Sequence, residues 1–511
     1  MKIARTQNAS RNIIYGVILR IYQTIAPFII RTALIHYLGI EYLGLNSLFN
    51  SVLQVLNLAE LGVGSAMVFC MYRPIAEDDT DRICAIMRLY RLYYKIIGLV
   101  ILGVGVLLIP VLPHLISSDV PQDVNLYVIY LLNLIATVVS YWLFAYKNSI
   151  LNAHQRIDIS SKVNLVMITV QYVIQYIILW KMHNYYWYLI TVIIIQIITN
   201  LVIAYVANRM YPNYKPSGQL SVTEVRNINS KVRDLFTAKV GSVILNSADS
   251  IVISAFLGLT TLAIYNNYYY VISAIHNFIM IGFSAITAGI GNSLITESLE
   301  KNYKDFKQMI MLVSWILVVC VSCFLNLFEP FMEMWVGKEN MLHLSVVILL
   351  CIYFYLVEIN GILNVFKDAA GMWHEDRWRP LVVALINLIL NLVLVQFIGI
   401  YGVIISTIVS LLFVGIPWVT RNLFKMLFKK SPKKFILMQI KTFGCAMLSA
   451  SVTYFVCGCF SIVGIAELII KVLITFVLST AIYVICFWHS KDFKETYCFA
   501  KRIFRSILGR V

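Results

Sequence analysis

Apolar residues run along this chain in long blocks, parted by short polar stretches. A helix needs about 20 mostly apolar residues to cross a bilayer. On that measure the pattern predicts fourteen crossings, at 13–37, 42–71, 96–113, 124–146, 163–180, 185–207, 235–257, 262–291, 309–332, 344–366, 380–397, 400–420, 435–460 and 465–488. The first follows a short basic start, Met1–Arg11, contains Arg20 and Arg31, and has no small-residue cleavage site. It is too long for a signal-peptide core and reads as a retained helix. The expected fold class is all-α and polytopic.

Composition sharpens this. Of 511 residues, 60% are hydrophobic and 13% charged, against about 25% charged in soluble domains. Soluble enzymes, nucleic-acid binders and secreted disulfide scaffolds are excluded as wholes. The net charge of +16 is explained by where the bases fall. Lys2, Arg5 and Arg11 precede the first span. Arg73, Arg82, Arg88, Arg91 and Lys95, then Arg209, Lys215, Arg226, Lys231 and Arg233, occupy alternate connections. Arg421, Lys425, Lys429, Lys430, Lys433 and Lys434 follow, and the tail adds Lys491, Lys494, Lys501, Arg502, Arg505 and Arg510. The opposite side holds only Lys181 and Lys338, and its loop near 117–123 carries Asp119 and Asp123. Positive loops stay cytoplasmic, so both termini are expected inside, and the charge is topological rather than a nucleic-acid footprint. Ten cysteines are scattered; Cys320 and Cys323 form a CxxC spacing inside an apolar run, where they read as packing residues.

An internal repeat is visible. At an offset of 219 residues Leu38-Gly39 falls on Leu257-Gly258, Leu43 on Leu262, Ser65-Ala66 on Ser284-Ala285 and Arg20 on Lys239; at 220, Lys147 falls on Lys367 and His154 on His374. Six helices per repeat is an even number, so both halves enter from one side, as in transporters built from parallel repeats. The expected organisation is an N-lobe at 1–215, a C-lobe at 216–425, two extra helices at 426–488 and a basic cytoplasmic tail at 489–511.

Polar residues recur at helical spacing on the first two helices of each repeat. Arg20 and Arg31 share a face of the first span, about 16 Å apart along the axis, with Pro27 between them expected to kink it. Asn46, Asn50, Gln54, Asn57 and Glu60 stripe the second, Lys239, Ser242, Asn246 and Asp249 the seventh, and Asn266, Ser273, Asn277 and Ser284 the eighth. Four such stripes imply a wet cavity between two lobes. Single amides often only bond neighbouring helices, but a charge at the bilayer centre costs at least about 2.5–3.5 kcal/mol. The bases Arg20, Arg31 and Lys239 therefore suit an anionic substrate, since arginine binds phosphate bidentately; snorkelling or pairing with an acid is the alternative for each. The acids Glu60, Asp249 and Glu358 can balance those bases or bind a coupling H⁺ or Na⁺, and the residues leave that choice open. Asn46, Asn50, Gln54, Asn246, Asn266 and Tyr269 complete the candidate substrate-binding set. Tyr265, Tyr268, Tyr269 and Tyr270 are candidates to stack on sugars or to anchor at the interface.

No enzyme constellation emerges. No phosphate-binding GxxxxGK[ST] loop occurs, Gly62-x-Gly64 and Gly289-x-Gly291 read as packing glycines, and the eight histidines show no metal spacing. No metal or cofactor is expected. His154 and His374 lie in matching loops with Lys147, Arg156, Lys367, Arg377 and Arg379, a candidate cytoplasmic gate or simply topogenic charge.

The stretch RNIIYGVILRIYQTIAPFIIRTALIHYLGIEYLGLNSLFNSVLQVLNLAELGVGSA at 11–66 resembles bacterial polysaccharide biosynthesis flippases of the Wzx type. So do MYRPIA at 71–76, YKNSILNAHQR at 146–156 and NSADSIVISAFLGLTTLAIYNNYYYV at 246–271. The resemblance covers most of 1–425. It implies a fourteen-helix, two-lobed member of the multidrug/oligosaccharidyl-lipid/polysaccharide (MOP) exporter superfamily, working by alternating access in the bacterial inner membrane. The implied substrate is an undecaprenyl-pyrophosphate oligosaccharide, with Arg20, Arg31 and Lys239 at the pyrophosphate and the last two helices against the lipid tail. Implied partners are the bilayer and, in surface polysaccharide assembly, a polymerase and a chain-length regulator. A drug or cation antiporter of the MATE kind, a lipid II flippase, and a scaffold that recruits glycosyltransferases are the competing readings; the first predicts an acid-dominated pocket.

Overall fold

The computed structural model describes residues 5–118, 120–459 and 464–508. Asp119, Lys2 and Arg510 lie outside them, as do the side chains of Ser284, Ala285, Arg502 and Arg505. Among the described residues the chain is helical and has no strand. Twelve helices are long and apolar enough to cross a membrane, thirteen if Leu126–Trp142 and Ala145–Ala153, bent by 45°, form one crossing. The difference from the expected fourteen lies in Val222–Phe283, whose 62 residues the sequence divides into two crossings. The structure holds them in one helical run broken at Gly258 (φ 87°, ψ 173°). At about 1.5 Å per residue that run exceeds a ~30 Å hydrocarbon core.

The chain packs as two units, Met1–Ala263 and Ile264–Val511. The stretch from 216 to 263, placed by the repeat in the second lobe, is thus grouped by its packing with the first. The first unit contains α1 (Arg5–Tyr37), α2 (Ile40–Leu56), α3 (Val63–Ala76), α4 (Thr80–Leu107), α5 (Leu126–Trp142), α6 (Asn148–Ala153), α7 (Ile157–Met182), α8 (Tyr185–Met210) and the start of α9 (Val222–Thr296). Helix α1 runs through Pro27 and packs along α7. Helices α4 and α5 close on glycines: a Cβ on Gly98 would lie 2.1 Å from the Trp142 indole nitrogen, and one on Gly105 would meet Leu134 at 2.5 Å. The buried centre holds Leu45, Leu48, Phe49, Met67, Met87 and Tyr130.

The second expected span, 42–71, is not one helix. Asn57–Glu60 forms a 3₁₀ turn and Gly62 adopts φ 88°, a left-handed conformation, before α3 begins. A Cβ on Gly62 would sit 2.7 Å from Leu235 Cβ, so close approach of α9 as well as the backbone requires glycine there. The tighter turn rotates Glu60 off the stripe that Asn46, Asn50 and Gln54 begin. The break at Gly258 is likewise held in place: Ser118 Oγ accepts from Leu259 N–H at 3.1 Å, and Ser117 N–H donates to Ser254 O at 3.1 Å.

The second unit contains the rest of α9, then α10 (Leu299–Val336), α11 (Leu344–Ala369), α12 (Trp373–Asp376), α13 (Arg379–Ile398), α14 (Ile400–Ser410), α15 (Ile416–Asn422), α16 (Lys433–Gly458), α17 (Ile465–Phe487) and α18 (Lys491–Leu508). Helix α10 is its spine. Thr442 donates to Ser314 at 3.3 Å, Ser322 meets Ser449 at 2.9 Å, and Asn326 donates to Thr453 at 2.8 Å. Partner numbers rise together, so α10 and α16 run parallel. Trp315 donates to Thr480 at 3.2 Å and Tyr483 to Met311 O at 2.8 Å, so α17 runs antiparallel to α10. The two final spans thus belong to this unit through small polar residues, the usual glue of membrane helices. Phe306, Phe366, Phe424, Phe428 and Phe435 fill the core at one end. The tail beyond 489 is helix α18, which ion-pairs to α10 through Lys304–Glu495 and Lys307–Asp492.

Candidate functional site

In the first unit the polar faces of α2 and α9 meet. Ser247 Oγ donates to Gln54 Oε1 at 3.3 Å, and Lys239 lies close enough for its charge to act on Glu60. Lys239, Asn246, Asn50 and Gln54 are exposed; Asn46 and Asp249 are half-buried. On α1, Arg20 is exposed and Arg31 half-buried, with the Arg31 charge acting on the buried Tyr188 of α8. In the second unit Asn266 and Tyr269 are half-buried. Tyr269 stacks on Tyr265 at 5.9 Å and approaches Tyr353 at 6.2 Å. Tyr268 is buried against Phe328, with its hydroxyl taken by Leu342 N–H, so it is a core residue.

The intramembrane acids have built surroundings. Glu60 Oε1 accepts from Gly64 N–H and from Tyr94 OH, each at 3.3 Å, and Tyr90 donates to Tyr94 at 2.6 Å. Tyr141 packs edge-on against Tyr94 and donates to Asn57. A Cβ on Gly64 would stand 2.9 Å from Glu60 Oε1, so the absence of a side chain there admits the carboxylate. Glu358 is fully buried and pairs with His276 Nδ1 at 2.7 Å, while its second oxygen has no partner among the described residues. The sequence reading does not single out His276, because it weighs histidines for metal spacing and for the matching loops and not as partners of an intramembrane acid. Its position on the helix neighbouring an intramembrane acid was the available signal.

The two matching loops form two clamps. Lys147, only 5% exposed, donates to Tyr214 O at 3.2 Å. His154 lies buried between the rings of Tyr211 and Tyr214, and its Nδ1 meets Ile150 O at 2.9 Å. A carbonyl only accepts, so Nδ1 carries the proton. Burial holds the His154 pKa below its ordinary value. Arg156 and Lys162 both pair with Asp158, at 3.0 and 3.4 Å, and that carboxylate is almost fully buried. Asn12 ties the same corner to α1, accepting from Asp158 N–H at 2.8 Å and donating to Gln155 O at 2.9 Å.

In the second unit Asp376 is buried and holds Arg379 by two bonds, 2.6 and 2.7 Å, and Lys367 at 3.3 Å. Arg379 also donates to Asn360 and Asn364 at 3.1 and 2.7 Å. Lys147, Arg156 and Lys367, expected as gate residues, are therefore engaged in bonds that hold loops to helices. Arg377 is exposed over the Trp378 ring at 5.6 Å. Asp158, Asp376, Asn360 and Asn364 escaped the sequence reading; for the two aspartates an acid at a helix start next to bases was the signal.

A model of the family described as polysaccharide biosynthesis protein matches residues 9–287. Curated protein sequences return no match. Among solved structures, an inward-closed lipid II flippase MurJ superposes with a TM-score of 0.66 at 15% identity, covering 93% of this chain and 99% of that one. An inward-facing MATE-family multidrug transporter of the MOP superfamily gives 0.59 at 14% identity, over 82% and 99%. A MOP transporter from Pyrococcus furiosus, described as having a binding pocket of reversed polarity, gives 0.51 at 13%, over 83% and 97%. At such identities the likeness is one of fold. With the family match over more than half its length, the chain belongs to the polysaccharide biosynthesis protein family and has the membrane-spanning fold of the MOP superfamily.

Proposed function

We propose that this protein flips an undecaprenyl-pyrophosphate-linked oligosaccharide from the inner to the outer leaflet by alternating access, for surface polysaccharide assembly. The observation that carries the reading is the pairing of the family match with three basic residues on membrane helices, Arg20, Arg31 and Lys239. A pyrophosphate sugar cannot cross about 30 Å of hydrocarbon unaided, and cations on polar faces supply its passage. Gln54, Asn50 and Asn246 offer amide groups to sugar hydroxyls, and Tyr269 offers a ring. Glu60, whose carboxylate feels Lys239, balances that base when no substrate is bound, and a proton on Glu60 or Glu358 is the simplest coupling device. The protein works in the bacterial cytoplasmic membrane with both termini inside, as the basic connections indicate, next to a polymerase and a chain-length regulator. Lipid II is the second reading, favoured by the MurJ superposition over 93% of the chain.

The test is flipping in proteoliposomes of fluorescent undecaprenyl-pyrophosphate oligosaccharide, scored by a membrane-impermeant glycosidase, with lipid II assayed in parallel. Wild type transfers the oligosaccharide, while Arg20→Gln, Arg31→Gln and Lys239→Gln each slow transfer at least tenfold and reconstitute normally. Full transfer by all three variants would refute the cationic path. Dye efflux without lipid transfer would refute the substrate class.

A further inference from the structure

Helices α11, α15 and α16 enclose a groove of about 960 Å³ whose wall is apolar along most of its length, with Leu356, Ile408, Leu412, Ile440 and Phe443 among its lining residues. One end carries Arg421, Lys425, Lys429 and Lys430. Lys430 is committed to Glu300 at 2.8 Å. For Arg421, Lys425 and Lys429 no acidic partner occurs among the described residues, and Lys429 sits at φ 50°, where a non-glycine residue is uncommon.

The groove also holds two hydrogen-bond donors that have no partner among the described residues. Thr420 Oγ is buried, 5% exposed for the residue, and lacks a partner among the described residues. Gln439 accepts from Tyr355 OH at 3.1 Å through Oε1, while its Nε2 lacks a partner among the described residues. A buried unmatched donor costs roughly 1–3 kcal/mol, so both positions call for an acceptor. The backbone departs from regularity at the same place. Leu411–Gly415 and Leu423–Leu427 are π-helical turns, the only two among the described residues, and such turns concentrate at functional sites.

We propose that this groove is a binding site for an anionic glycerophospholipid of the bilayer, with acyl chains along the apolar wall and the phosphate at Arg421, Lys425 and Lys429. Basic pockets between membrane helices at the cytoplasmic side take such head groups, and the positive-inside pattern puts residues 421–434 on that side. Phosphate and ester oxygens are acceptors, which is what Thr420 Oγ and Gln439 Nε2 lack. None of the head-group residues proposed above, Arg20, Arg31 and Lys239 among them, lines the groove; one wall is α16, which the resemblance sets against the cargo's lipid tail, so the proposal commits to a resident phospholipid and undecaprenyl phosphate is the competitor that tests it. The site stands whether or not the flippase reading does.

The experiment is native mass spectrometry of the purified full chain in detergent, titrated with phosphatidylglycerol, phosphatidylcholine, undecaprenyl phosphate and glycerol 1-phosphate. Wild type retains phosphatidylglycerol at least tenfold better than phosphatidylcholine. The variant Arg421→Gln/Lys425→Gln/Lys429→Gln loses that preference, and Leu412→Trp, which fills the apolar wall, lowers retention of both phospholipids. Thr420→Val, a near-isosteric change, weakens phosphatidylglycerol by a smaller factor and keeps the proposal testable if the triple variant does not fold. Equal retention of the two phospholipids by wild type, or unchanged preference in folded triple variant, would overturn the proposal. Displacement of phosphatidylglycerol by a stoichiometric amount of undecaprenyl phosphate would overturn it in favour of a carrier site. Full competition by glycerol 1-phosphate would reduce it to a phosphate site without a lipid.

Discussion

Asp376 is the most consequential single side chain outside the membrane-facing polar faces. It is 3% exposed and neutralises Arg379, itself 6% exposed, through two bonds at 2.6 and 2.7 Å, with Lys367 at 3.3 Å on the far side. Asp376→Ala removes the anion and leaves a buried guanidinium with only Asn360 and Asn364 as neutral acceptors. Breaking a buried pair from one side costs about 3–5 kcal/mol, because the remaining charge stays desolvated. For a unit of roughly 250 residues each kcal/mol lowers Tm by about 2–4 °C, so the variant should melt about 6–20 °C below wild type in detergent. The double variant Asp376→Ala/Arg379→Met removes both charges of the closest pair and should recover most of that loss, leaving the two orphaned asparagines and Lys367, which keeps Asp368 at 2.8 Å, to account for the rest. The assay is thermal unfolding followed by tryptophan fluorescence at constant detergent and salt. A single variant melting within 2 °C of wild type, or a double variant no more stable than the single, would show that the pair is solvated and that the clamp is a surface feature.

Three further outcomes are expected. Gly258→Ala places a Cβ at φ 87°, ψ 173° and 3.0 Å from Ser118 Cβ, a region nearly reserved for glycine, and should cost about 1–3 kcal/mol, seen as a lower Tm and faster proteolysis near the break. Burial lowers the His154 pKa, so the unfolded chain takes up its proton first. Stability should therefore fall as pH drops below about 6.5 and level off below the folded-state pKa; His154→Gln should flatten that limb, and an unchanged limb would exclude His154 as its source. Ser322→Ala and Ser449→Ala break one buried interhelical bond of 2.9 Å, and a double-mutant cycle should return about 0.6 kcal/mol of coupling.

Much of the fold was legible because bilayer crossing imposes a coarse rule on composition. Long apolar blocks mark helices whatever their neighbours, and the bases sort the connections. Local backbone was less legible. The stripe from Asn46 to Glu60 has helical spacing, yet Gly62 must turn left-handed where a Cβ would stand 2.7 Å from Leu235 Cβ, a close approach between residues far apart in the chain. The division at 215/216 followed the repeat, whereas the packing boundary falls at 263/264, just beyond the Gly258 break. The charged positions were found by type and not by engagement: Lys147 reads as a solvated loop base, but Tyr214 O takes its ammonium in a buried corner.

The repeat nevertheless located the clamps without describing them. An offset of 220 matched Lys147 with Lys367 and His154 with His374, and nearly the same offset, 218, carries Asp158 onto Asp376. Both aspartates are almost wholly buried, and both hold two bases, Arg156 and Lys162 in the first unit, Lys367 and Arg379 in the second. Identical residue types need not survive for this: the bases approach the two acids from different sequence distances. What recurs is one buried carboxylate where a loop enters a membrane helix, surrounded by cations that topology already places on that side. Positive loops orient the chain as it inserts, and a single acid per repeat turns part of that surplus charge into a fixed corner. Neutralising Asp158 should therefore destabilise the first unit as Asp376→Ala does the second, although Lys162 is half exposed and its share of the loss is correspondingly smaller.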